Sequence, residues 1–82
     1  MSYFREELLK DYQYFFDAMK SRMEVKQKEY GDNWMFAELR DLFSSLIEKY
    51  EKWTRDLNNK LHLVDLANHC MILWLRLELE SE

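Results

Sequence analysis

The side chains able to do chemistry in this sequence fall into two groups with helical spacing. Glu48 and Glu51 stand three residues apart, so on a helix their carboxylates project from neighbouring points. His62, Asp65, Asn68 and His69 form the second group. Asp65 is the most informative of these, because it lies in a mainly apolar run, where a carboxylate is costly unless paired, hydrogen-bonded or bound to a cation. Two carboxylates on one helix facing Asp65 and Asn68 on the next suit a hard divalent cation such as Mg²⁺, which takes oxygen ligands and keeps waters for substrate phosphates. Such an ion polarises a phosphoryl oxygen and lowers the pKa of an attacking water. Nitrogen donation from His62 or His69 would favour Mn²⁺ or Zn²⁺ instead. Trp34 has the ring to stack on a base, and Lys26 and Lys28 have the charge to meet phosphates.

Each of these residues also has a structural reading. On the helical wheel Glu48 and Glu51 point away from the Leu46, Tyr50 and Trp53 stripe, towards a solvated face with Arg40, Ser44 and Arg55. His62 and His69, seven apart, suit a hydrated or hydrogen-bonded face, and Asp65 with Asn68 suits a buried polar network that fixes helix register. Trp34 can be a helix staple or interface anchor. Lys26 and Lys28 complement a helix C-terminus, and the five methionines fill a core. There is no glycine-rich phosphate loop, GxSxG elbow or HExxH pair, and the serines and Cys70 have no recognisable base partner.

The elements that must position these groups are helices. Proline is absent and glycine occurs once among 82 residues, which leaves too little turn punctuation for an all-β or α/β chain. Phe4, Leu8, Tyr12, Phe15, Phe16, Met19 and Met23 recur at steps of three and four and predict a first helix from Ser2 to Tyr30, capped by Ser2 and closed by Gly31. Asp32 or Asn33 would then cap a second helix carrying Leu39, Leu42, Phe43, Leu46, Tyr50, Trp53 and Leu57. Asn58 and Asn59 supply a turn, since asparagine tolerates left-handed backbone and caps helices. A third helix runs from about Lys60 to about Leu79. Its polar residues His62, Asp65, Asn68, His69 and Arg76 share about a third of the circumference at roughly 100° per residue, and the rest is apolar. Two partner helices in so short a chain cannot easily cover it. The expectation is a single all-α domain over residues 1–82, a three-helix subunit that forms an oligomeric bundle as a homodimer or homotetramer.

Composition sets further bounds. With 48% hydrophobic and 34% charged residues the chain is outside the regime of disorder. A formal charge of −4 argues against a nucleic-acid partner. The N-terminus has no apolar signal core, and the richest apolar run is broken by Asp65, Asn68, His69 and Arg76, so no membrane span is expected. A lone cysteine excludes an intrachain disulfide and fits a reducing, cytoplasmic setting.

The order "KEYGDNW", "LRDLFSSLIEKYEKW", "HLVDLANHCMILWLRL", spanning about residues 28–77, resembles the MazG-like members of the all-α nucleoside triphosphate pyrophosphohydrolase superfamily. In that family a helix with an EExxE motif precedes one with ExxD, and acids from both hold the Mg²⁺ that engages the triphosphate. Glu48 and Glu51 match the second and third acids of the first motif, with Ile47 at the place of the first; Asp65 matches the aspartate of ExxD, with His62 at the place of its glutamate, and Asn68 continues the "DLAN" pattern. The resemblance implies a MazG-like bundle. It also implies Mg²⁺ or Mn²⁺ on Glu48, Glu51, Asp65 and His62, with Trp34, Lys28 and Asn68 at the nucleotide. The reaction would be hydrolysis of a nucleoside triphosphate to monophosphate and pyrophosphate by metal-bound water, with Glu48 or Glu51 as ligand or base. The alternative expectation is a non-catalytic helical homo-oligomer that serves as an interaction or scaffold module.

Overall fold

The structure, a computed structural model, describes residues 7–31 and 33–81, apart from the side chains of Glu7 and Tyr30. Ser2 and Asp32, two of the expected caps, lie outside the described residues. The described chain is all-helical: α1 (Glu7–Tyr30), α2 (Asn33–Phe36), α3 (Leu39–Thr54) and α4 (Lys60–Glu80). None of these helices is long and apolar enough to cross a membrane.

Gly31 closes α1 as expected. Its φ is 63°, and its N–H donates to the Gln27 carbonyl at 2.9 Å, the left-handed cap that ends helices at glycine. A Cβ at Gly31 would meet nothing within 4 Å, so the backbone angle and not crowding selects the residue.

The expected second helix is two. The one-turn helix α2 ends at Phe36, Glu38 is extended at φ −69° and ψ 145°, and its carbonyl accepts from Asp41 and Leu42 to start α3. The break has a distant cause. Arg76 on α4 donates through Nη1 to the carbonyls of Trp34 at 2.9 Å and Ala37 at 2.6 Å, satisfying acceptors that a helix end leaves open. The Asn58–Asn59 connection also differs from expectation, for no described non-glycine residue has a positive φ. Here Asn59 N–H donates to the Asp56 carbonyl, and the Asn59 side-chain oxygen caps α4 by accepting from Leu61 N–H at 3.0 Å.

Helix α4 is the central element, packed most extensively on α3 and also on α1. His62 lies near Asp56 at one end and Arg76 reaches Ala37 at the other, so α3 and α4 run antiparallel. The core is small: Leu42, Ile72 and Leu73, flanked by Met23, Trp34, Ala37, Leu39 and Leu46, with Val64 also buried. Helix α4, expected to be apolar over more of its surface than two partner helices can cover, carries most of the buried residues and still exposes Leu61, Leu63, Trp74, Leu77 and Leu79, while positions 9–18 of α1 are all exposed. The reason is the crossing point: α1 meets α4 only through its second half, at Met19 and Arg22.

Candidate functional site

A cleft of about 310 Å³ opens where the four helices meet, at the lower end of the size range of small-molecule sites. Met23, Lys26 and Gln27 of α1 form one wall with Gly31, and Asn33 and Trp34 of α2 another; Ser45 and Lys49 come from α3, and Asp65, Asn68, His69 and Ile72 from α4. The cap at Gly31 and the Arg76 hold on α2 are what turn Trp34 back over this space.

The polar residues of α4 are mostly committed to other helices. Arg22 grips Asp65 with two bonds, Nε to Oδ1 at 2.8 Å and Nη2 to Oδ2 at 3.3 Å. The Asn68 amide donates to the Met19 carbonyl at 3.0 Å, and His69 Nε2 lies 2.7 Å from the Leu42 carbonyl. A carbonyl only accepts, so Nε2 carries a proton. Asn68 is only 5% exposed, yet its Oδ1 has no hydrogen-bond partner. Such orphaned acceptors are rare in folded proteins.

The cleft is cation-rich inside an acidic protein. Its carboxylate, Asp65, already faces Arg22, while Lys26 and Lys49 enter from opposite helices. Burial pulls the Lys49 ammonium below the ordinary lysine range, repulsion from Lys52, Lys26 and Arg22 adds to this, and attraction to Asp65 opposes it. No described hydrogen bond or salt bridge neutralises Lys49.

The sequence-derived residues divide accordingly. Trp34, Asn68 and Asp65 come together in the cleft. Glu48 and Glu51 are exposed on α3 and do not line it; nor does Lys28, which is exposed near the end of α1, although Lys26 does. His62 sits at the far end of α4, 3.7 Å from Asp56. Among the described residues no three His, Cys, Asp or Glu side chains gather in a way that holds a metal ion, and the carboxylate at the cleft is engaged through both oxygens. Within one chain, then, the residues expected to hold Mg²⁺ or Mn²⁺ do not fit that role.

Three residues that matter here were not singled out as site residues from the sequence: Arg22, Lys49 and Arg76. Two left a signal. Lys49 continues the Leu42, Leu46, Trp53 stripe at steps of four, three and four, so it was bound to point inward. Arg22 falls beside Met19 and Met23 on the stripe of α1, and a cation there is the complement that a carboxylate at Asp65 requires. No family model matches the chain, and no curated protein or solved structure shows significant similarity to it.

Proposed function

We propose that this protein is a MazG-like nucleotide-binding protein whose ligand sits in the four-helix cleft. The observation that supports this reading is the meeting of Lys26 and Lys49 with Trp34 around one space. The parts match a nucleotide by chemistry. Phosphate oxygens supply the negative charge that Lys49 lacks, and the base offers a flat face to Trp34. In this reading Asp65 acts on the ligand indirectly, by fixing Arg22 and with it the distance between α1 and α4. Binding and not turnover is the activity that one chain supports, because hydrolysis of the triphosphate through Mg²⁺ calls for acids that this chain alone does not bring together.

Titration of Trp34 fluorescence, isolated in a Trp53→Phe/Trp74→Phe background, with a nucleoside triphosphate, the monophosphate and the bare nucleoside, each with Mg²⁺ and with a chelator, tests this. Saturable binding that needs a phosphate and weakens at least tenfold in Lys49→Met is expected. Binding of the bare nucleoside as tightly as the nucleotide, or no saturation at millimolar ligand, would refute it. Release of pyrophosphate in the same tubes separates hydrolysis from binding. A second reading, a homo-oligomeric interaction module, is favoured by a different observation: large apolar side chains are exposed on every long helix, Phe16, Ile47 and Trp74 among them.

A further inference from the structure

The acids that would hold a divalent ion and the cations that would repel one lie on different faces of this chain. Glu48 and Glu51 are exposed on α3 and do not line the cleft. Among the described lining residues the carboxylate is Asp65, and Arg22 occupies both of its oxygens. Lys26 and Lys49 enter the same space from α1 and α3. Among the described residues, the charged groups that act on the Lys49 ammonium are three cations, Lys52, Lys26 and Arg22, against Asp65. A dication brought into this cleft meets like charge at close range, and no described carboxylate there is open to replace the water it gives up. The volume, about 310 Å³, is a second constraint. Mg²⁺ dehydrates reluctantly and arrives with several waters, and a space at the lower end of the range of small-molecule sites has little room for them beside a nucleotide. An ammonium already in place donates to phosphate oxygens directly.

We propose that Lys49 stands where a divalent ion would otherwise neutralise the ligand, so that the cleft takes nucleotides free of metal and, wherever Mg²⁺ is plentiful, prefers a nucleoside monophosphate to the triphosphate. The preference comes from the ligands as much as from the protein. Neighbouring phosphates of a triphosphate bridge Mg²⁺ together, whereas a single phosphate has no second group to close the ring and holds the ion weakly. A triphosphate must therefore shed its Mg²⁺ to enter, and a monophosphate has little to shed. The inference rests on the nucleotide reading above and deepens it by naming the ligand class. It departs from the Mg²⁺-dependent hydrolysis of triphosphates that the sequence resemblance implies.

Calorimetric titration of the unaltered chain with ribo- and deoxyribonucleoside triphosphates and the matching monophosphates, in a chelator and then in excess Mg²⁺ at one ionic strength, tests this. Both classes are expected to bind in the chelator. Excess Mg²⁺ should weaken the triphosphate at least tenfold and the monophosphate less than threefold. A triphosphate whose affinity Mg²⁺ raises or leaves unchanged would overturn the inference while the nucleotide reading stands. So would equal weakening of the two classes, which is what screening alone produces, or a monophosphate that fails to bind where the triphosphate succeeds. No saturable binding by any of these ligands would overturn the nucleotide reading and this inference with it. Mn²⁺ supplies a readout that does not depend on affinity. Added with the triphosphate, it should leave the side-chain amide signals of Asn68, which lines the cleft, sharp in the ¹⁵N NMR spectrum. Selective broadening of those signals would put the metal in the cleft and refute the proposal.

Discussion

Replacing Arg22 with methionine removes the cation from a carboxylate that is only 12% exposed, while keeping most of the apolar stem that crosses between α1 and α4. Removing one partner of a fully buried pair costs about 3–5 kcal/mol because the other charge is left without compensation. Here Arg22 is 25% exposed and the pair borders an open cleft, so water recovers part of that cost and about 2–3 kcal/mol is expected. For a chain of this length, whose total stability is of order 4–12 kcal/mol, that is a large fraction. Asp65→Leu should cost less, about 1–2 kcal/mol, because a guanidinium on a long stem can turn to solvent. The double variant Arg22→Met/Asp65→Leu should return to within about 1 kcal/mol of the wild type, since an apolar pair of similar volume often replaces a buried ion pair without loss. Urea denaturation of the four proteins at one fixed concentration, followed by circular dichroism, gives the coupling directly. A coupling of about 2–5 kcal/mol is expected. Additivity to within about 0.5 kcal/mol would show that Arg22 does not hold Asp65, and the account of how α1 is placed would fail with it.

Three further outcomes follow from the geometry. Arg76→Met strips the carbonyls of Trp34 and Ala37 of their donor, and should cost about 1–3 kcal/mol and speed hydrogen exchange in residues 33–37 while α3 and the body of α4 stay protected. Gly31→Ala forces a side chain to φ 63° and should cost about 1 kcal/mol, with Gly31→Asn milder, as chemical denaturation would show. Lys49→Met should stabilise the ligand-free protein at neutral pH while weakening nucleotide binding, the usual opposition between stability and function at a site. The sign follows from linkage. The folded-state pKa of Lys49 lies below its ordinary value of 10.5, so between the two the unfolded chain binds more protons, and wild-type stability rises with pH through that window relative to Lys49→Met. A wild type that loses stability relative to the variant over the same interval would contradict the assignment.

Local signals in the chain announced the long helices, the Gly31 stop and the asparagine cap, because each depends on residues within a turn of one another. The break between α2 and α3 was not legible, since its cause is a guanidinium some forty residues away. Asp65 stood out as a charge in need of a partner, but nothing local said whether the partner would be a metal or an arginine; the packing of α1 on α4 decided it. Apolar content likewise showed how much surface needed cover and not which. The polar arc of α4 is where α1 crosses, through Asp65 and Asn68, so α4 became the centre of the fold while apolar surface stayed exposed on every long helix. Glu48 and Glu51 illustrate the limit of motif spacing: three residues apart on a helix places two acids together, and the direction in which they face is set by the Leu42, Leu46 and Lys49 side that packs inward.

The claim on which the functional reading depends is that Lys49 is a cation short of a counter-charge that a phosphate provides. Following the Lys49 side chain by ¹³C NMR through a pH titration, without ligand and then with a saturating nucleoside monophosphate in the presence of a chelator, tests it. The account expects a midpoint below that of an ordinary lysine in the ligand-free protein and a clear upward shift when the nucleotide is present. An ordinary midpoint that the nucleotide leaves unmoved would contradict it.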